Sequence, residues 1–142
     1  MTYNQIVSKV QTLMESHPMV KSVRFASPTE WLFRDEQPMF PNCSFICNTG
    51  SFNFGRDLQY QFQFWFLDKS GVDGEYEKDV VSDMHGIAND LISVLRKDLQ
   101  ITIDTSITWN AISEKFEDYL SGVTLTLNIN ITDSNPNCSF PS

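Results

Sequence analysis

The sequence is poor in several features that would narrow its function. Basic residues are scarce, with Lys+Arg at 10 against Asp+Glu at 18 and a net charge of −8. Gripping a phosphate backbone depends on clustered Lys and Arg, so this surface is not expected to hold nucleic acid. An acidic protein can still line a channel through which a polyanion slides, where repulsion is useful. Long apolar runs are missing as well: nothing approaches the roughly 20 residues that span a bilayer. The opening MTYNQIVSKVQTLMESH has no basic segment followed by an apolar one, so no secretory leader is expected. Cysteines number only 3. Cys43 and Cys47 share one face of an expected strand, about 13 Å apart at about 3.3 Å per residue, too far to bridge. With Cys138 in a polar terminal stretch, they are expected to be reduced thiols of a cytoplasmic product.

Chemistry-bearing residues are equally sparse. Asp83, His85 and Asp90 lie close in sequence, but about 100° per residue of helix turns Asp83 and His85 about 200° apart. His85 reads as a boundary residue beside an apolar stripe, and His17 as a helix terminus before Pro18. No serine occupies a nucleophile elbow and no glycine-rich phosphate loop follows a strand. The acidic pairs Asp35-Glu36 and Glu117-Asp118 fall in solvated contexts. No enzymatic activity, cofactor or metal site is expected from these residues.

What the sequence does have is one strict alternation, Leu58-Gln59-Tyr60-Gln61-Phe62-Gln63-Phe64-Trp65-Phe66-Leu67. Successive side chains of a strand point to opposite faces. Leu58, Tyr60, Phe62, Phe64 and Phe66 therefore form a face built for burial, and Gln59, Gln61 and Gln63 a neutral polar one. Trp65 and Leu67 make that second face apolar at its end, so the strand needs a cover on both sides there. At about 3.3 Å per residue the run from Asp57 to Asp68 reaches roughly 40 Å, well beyond the usual strand. It is either a long central strand of a single-chain core or one that projects to meet another subunit.

The remaining elements follow in order. Thr2 and Gln5 are spaced as a capping box ahead of Ile6, Val7, Val10, Leu13 and Met14, which recur at helical spacing. Pro18 stops that helix near Ser16 and His17. Val20, Val23 and Phe25 begin an extended segment, and Glu30-Trp31-Leu32-Phe33 is either a short strand or a loop that docks its aromatics. A strand is predicted from Cys43 to Thr49, with Asn48-Thr49-Gly50-Ser51 as the hairpin turn and a bulge at Gly55 on the return. After the polar loop Asp68 to Gly74, the stripe Val80, Val81, Met84, Ile87, Ala88, Leu91, Val94 and Leu95 predicts a second helix between Glu75 and Arg96 that covers the aromatic face. Gly86, costing about 1 kcal/mol against Ala in a helix, suggests close packing there. Ile101, Ile103, Ile107 and Trp109 mark a strand broken near Asp104-Thr105-Ser106, and Val123 to Ile131 alternate as the last strand.

The fold expected is α+β: a mainly antiparallel sheet of four to five strands with a long hairpin, packed against an N-terminal helix and a long central helix in the order α-β-β-β-α-β-β. One domain is expected over 1–133 and a flexible tail over 134–142.

From about Ile6 to Ile131 this order resembles the tail terminators of long-tailed bacteriophages and the related tail-completion and head–tail joining proteins. The residues that carry the resemblance are Phe116-Glu117-Asp118-Tyr119-Leu120-Ser121-Gly122-Val123-Thr124, similar to a Phe-x-Asp-x-x-x-Gly turn before the final strand. The long strand followed by an acidic loop and a helix near Glu77-Lys78-Asp79-Val80 adds to it, although Val123 stands where an aromatic is common. The resemblance implies a non-enzymatic virion protein, a homohexameric ring that caps the tail tube and joins it to the neck. Its partners would be the tube protein and a neck protein. DNA would pass through the lumen without specific binding, and no membrane would be involved. The interface residues so implied are Trp65, Leu67, Asp68, Lys69, Asp73, Glu75, Asn135 and Phe140. Two alternatives are another connector protein of the neck and a module that holds a small apolar ligand between the aromatic face, at Tyr60, Phe62 or Phe64, and the second helix.

Overall fold

The structure, a computed structural model, describes residues 2–28, 39–52, 57–71, 76–112 and 120–132. Helix α1 (Tyr3–Glu15) opens with the expected capping box: the Gln5 amide donates to Thr2 Oγ1 at 3.2 Å, and the Thr2 amide donates to Gln5 Oε1 at 2.8 Å. Two of the orphan donors at the helix start are thereby satisfied. Ile6, Val10 and Met14 form its buried stripe. Short strand β1 (Ser22–Arg24) leads to the hairpin β2 (Asn42–Phe52) and β3 (Asp57–Lys69). Helix α2 (Glu77–Lys97) follows, then β4 (Thr102–Ile103), β5 (Thr108–Ile112) and β6 (Leu120–Thr132).

The α+β fold is thus as expected, with a sheet of six strands ordered β1-β2-β3-β6-β4, and β5 also paired to β6. The strand expected between Ile101 and Trp109 splits at the Asp104 break into β4 and β5, which share one edge of β6. Among the described strands, β1 and β2 pair in parallel and the other pairs are antiparallel. β3 and β6 pair along their whole 13-residue lengths, from Asp57↔Thr132 to Lys69↔Leu120. This ladder is the backbone of the molecule.

Both helices lie on the aromatic side. Phe45, Phe62, Phe64 and Phe66 are fully buried and join Ile6, Val10 and Met14 of α1 and Met84, Ile87 and Leu91 of α2 in one core. The rings of Phe62 and Phe64, and of Phe64 and Phe66, stack at 6.0 Å. Acidic Glu77 and Asp79 in the first turn of α2, and Arg96 and Lys97 in its last, oppose the helix dipole.

Three local expectations are corrected. Asn48 to Ser51 do not turn: they continue β2, with Thr49↔Gln61, Gly50↔Tyr60 and Ser51↔Gln59 paired. A side chain at Gly50 would run into the Gln59 carbonyl, so this glycine marks a close strand approach rather than a turn. The ladder irregularity falls between Ile46 and Thr49, while the bulge expected at Gly55 lies outside the described residues. Gly122 likewise sits inside β6, opposite Leu67, and not in a turn. The third correction concerns Gly86, which is exposed and has nothing within 4 Å of the position its Cβ would take. No neighbour requires it. Gly86→Ala is therefore expected to raise the unfolding free energy by about 1 kcal/mol, measured by urea denaturation, and Gly86→Leu to be tolerated rather than disruptive.

Candidate functional site

Among the described residues, α1 and α2 both lie on the aromatic side, and no helix covers the polar stretch of the opposite face. On β3 it presents Gln59, Gln61 and Gln63, and on β6 their partners Asn130, Asn128 and Thr126, followed by Thr124 opposite Trp65. Thr49 and Ser51 extend the row onto β2. The period of two forces this composition, because every second residue of two 13-residue strands must face away from the core. The result is a wall of amides and hydroxyls with no basic side chain among them; the charges beside it are acidic, Asp57 at the start of β3 and Asp104.

Asp104, in the break after β4, ties this wall together at one end. Its carboxylate accepts from Gln59 Nε2 at 3.2 Å and from Asn130 Nδ2 at 2.6 Å, while Ser51 Oγ donates to Gln59 Oε1 at 3.1 Å. The Asp104 amide in turn donates to the Asn128 carbonyl at 3.1 Å. One carboxylate thus orients amides on both central strands, which fixes which atoms of the wall face outward.

At the other end the open face becomes apolar. Leu67, Ile112 and Leu120 form a second small buried cluster, with Phe40 and Trp65 packed against it. Leu67 is thus buried within the chain itself, with Leu120 of β6 and Ile112 of β5 beside it on the same face of the sheet. Beside it Asn42 Oδ1 and Ser44 Oγ are buried with no hydrogen-bond partner among the described residues, although Asn42 Nδ2 donates to Ser22 Oγ at 2.7 Å.

Of the residues proposed for an interface, Trp65, Leu67, Asp68 and Lys69 lie among the described residues. Leu67 is fully buried and Trp65 half-buried on the open face. Asp68 points to the opposite face, where burial, helped by the charge of Asp83, raises its pKa; the Lys69 amide, donating at 2.8 Å, opposes this. Lys69 is exposed, with its ammonium 5.6 Å from the Phe40 ring centroid. Asp73, Glu75, Asn135 and Phe140 lie outside the described residues.

The space suggested for an apolar ligand is largely filled, because Phe62 and Phe64 are fully buried beneath the helices. The cover ends at Tyr60, which is half-buried and lines a cavity of about 440 Å³ with Tyr3, Cys47, Phe52 and Leu58. Tyr3 Oη donates to the Cys47 carbonyl at 2.9 Å, and its ring lies 6.2 Å from that of Tyr60. Phe52, at the end of β2, is 79% exposed.

Cys43 and Cys47 are both free and buried on the core side. Burial pushes the Cys47 thiol up to about 11 and the Cys43 thiol higher still. The thiolate is the reactive form, so neither is expected to react with a disulfide reagent at pH 8 in a folded Cys138→Ser variant. Both should react once urea unfolds it, measured as thiols released per chain.

His17 Nδ1 accepts from the Met19 amide at 3.1 Å, which leaves Nε2 to donate to Asp90 Oδ2 at 2.9 Å, tying the end of α1 to α2. His85 meets Trp109 edge to face at 4.9 Å. Among the described residues no group of three His, Cys, Asp or Glu stands close enough to hold a metal ion, and no helix is long and apolar enough to cross a membrane.

Two residues of interest escaped the sequence reading. In the sequence Asp104 marks only a break in a strand, a turn or a bulge, and its bridging role depends on strands that only folding brings together. Trp109 falls among the apolar strand positions of the sequence, yet it is 52% exposed. The signal for it was present, since Thr108-Trp109-Asn110-Ala111 holds one large apolar residue among small or polar ones. Set against protein-family models and against curated proteins, the chain shows no significant match.

Proposed function

We propose that this chain is a structural virion protein that forms a ring, caps the end of a phage tail tube and joins it to the neck. The observation that carries this reading is the cation-free wall of Gln59, Gln61, Gln63, Thr124, Thr126, Asn128 and Asn130, backed by the full-length β3–β6 ladder. A lumen through which DNA must pass calls for a rigid lining that is wetted but offers phosphates no cation. Amides and hydroxyls on a long sheet meet that need. The net charge of −8 adds repulsion of a polyanion. Under this reading the ring is a homohexamer, its partners are the tube protein and a neck protein, and it resides in the virion after assembly in the host cytoplasm.

Purified protein mixed with tail tubes tests the proposal by negative-stain imaging. Caps at one end of the tubes and a halt to further tube growth are the expected result. Tubes that remain bare at both ends, with polymerisation unaffected, would overturn it. A protein that ignores tubes but gains thermal stability with an apolar ligand would instead favour the cavity beside Tyr60.

A further inference from the structure

Among the described residues the sheet ends in two free edges. On one side β1 pairs with β2 only from Asn42 to Ser44, so β2 from Asn48 to Phe52 has no outer neighbour. On the other side β5 pairs with β6 alone. Both free stretches are exposed, apart from Ile112 at the end of β5. Exposed edges invite pairing with another chain, and proteins that avoid it place Lys, Pro or inward charges there. Neither Asn48-Thr49-Gly50-Ser51-Phe52 nor Thr108-Trp109-Asn110-Ala111-Ile112 contains any of these.

We propose that β5 of one copy pairs with the Asn48–Phe52 edge of β2 of the next, and that Trp109 fills the cavity lined by Tyr3, Phe52 and Tyr60 of that neighbour. Three features favour this occupant. The first is direction: β2, β3, β6 and β5 alternate in sense across the sheet, so a second copy in the same orientation brings β5 antiparallel to β2. Antiparallel pairs need no adjustment of the hydrogen-bond pattern.

The second is facing. Trp109 is opposite Leu125, a core-side residue, and so projects on the helix side of its sheet. Gly50 and Phe52 lie opposite Tyr60 and Leu58, on the same side of theirs. A continuous sheet therefore places the exposed indole beside Gly50 or Phe52, at the mouth of the 440 Å³ cavity.

The third is stagger. Within one chain Trp109 is level, through Leu125 and Phe64, with Phe45. Bringing it level with Gly50 or Phe52 of the next copy shifts the strands by about 14–20 Å across four strands spaced about 4.8 Å apart, a tilt of about 35–45°. Closed sheets adopt this range of tilt, about 35–45°. The contact is heterologous, so it propagates from copy to copy until a ring closes. It deepens the ring reading and rests on that reading only for closure.

The test is a Trp109→Cys, Phe52→Cys double variant in a Cys138→Ser background, oxidised as full-length protein and resolved on a non-reducing gel, with each single variant alongside. A ladder of multimers from the double variant, with neither single variant self-linking, is the expected result. Trp109→Ala in the native background is expected to weaken self-association by at least about tenfold, read by sedimentation, with an unchanged circular dichroism spectrum. A ladder absent under all oxidants, a single variant that links to itself, or unchanged association of Trp109→Ala would each overturn the proposal. Imaging with tail tubes separates the two ideas. Caps without a ladder would remove the edge pairing and leave the terminator reading, whereas a ladder without caps would do the reverse.

Discussion

Phe64→Ala is expected to lower the unfolding free energy by about 3–5 kcal/mol, the largest effect of any single truncation on the aromatic face. Phe64 is fully buried on the central strand β3. Its ring stacks on Phe45 of β2 at 5.7 Å, on Phe62 at 6.0 Å and on Phe66 at 6.0 Å. Truncation removes apolar area and three ring contacts at once, each aromatic pair adding about 0.5–1.5 kcal/mol beyond its area. The flanking rings are themselves held by the sheet and by the helices α1 and α2, so the cavity cannot collapse. Urea denaturation of wild type and variant, with an unchanged dependence on denaturant, measures the loss. Phe52→Ala is the control: with that side chain 79% exposed, the monomer is expected to lose little. A loss below about 1 kcal/mol for Phe64→Ala would mean that the ring stack does not organise the core.

Gly122→Ala is expected to cost about 3 kcal/mol, at the upper end for overpacking, because the obstacle is main chain rather than a side chain that can rotate. A Cβ at 122 would meet the Phe66 carbonyl oxygen in hard contact and lie 2.9 Å from its carbon and 3.1 Å from Leu67 Cα. Relief requires β3 and β6 to separate locally, next to the buried cluster of Leu67, Ile112 and Leu120. The same substitution at Gly86, exposed on α2, is expected to stabilise. The pair thus reverses sign for identical chemistry, measured by thermal melting of both variants. Equal effects at the two positions would show that the strand approach at Gly122 is looser than the structure has it.

Much of the fold was legible from local signals. The capping box at Thr2 and Gln5, the stop at Pro18, the apolar stripe from Val80 to Leu95 and the alternation from Leu58 to Leu67 each depend on residues close in sequence. The structure follows them within a residue or two. Glycine was where local reading failed. Asn48-Thr49-Gly50-Ser51 has the composition of a turn, but Gly50 is required by the backbone of β3 at Gln59, a neighbour nine residues on that comes close only once the hairpin has formed. Gly86 invited a packing explanation that its open surroundings remove.

The candidate site divides in the same way. That one face would be glutamine-rich and remote from the core was determined by the sequence itself, since the period of a strand assigns alternate side chains to opposite faces whatever the rest of the chain does. Which strand lies beside which was not so determined. Pairing β3 with β6 set Gln59, Gln61 and Gln63 against Asn130, Asn128 and Thr126, and it brought Leu120 and Ile112 beside Leu67, whose side chain is buried within the chain itself. The same topology left β5 and the far half of β2 as opposite free edges, with Trp109 exposed at one and Phe52 at the other. Periodicity carries only the direction in which a side chain points. Neighbours across a sheet are chosen by backbone pairing and burial between segments far apart in sequence, and those exist only in the tertiary structure.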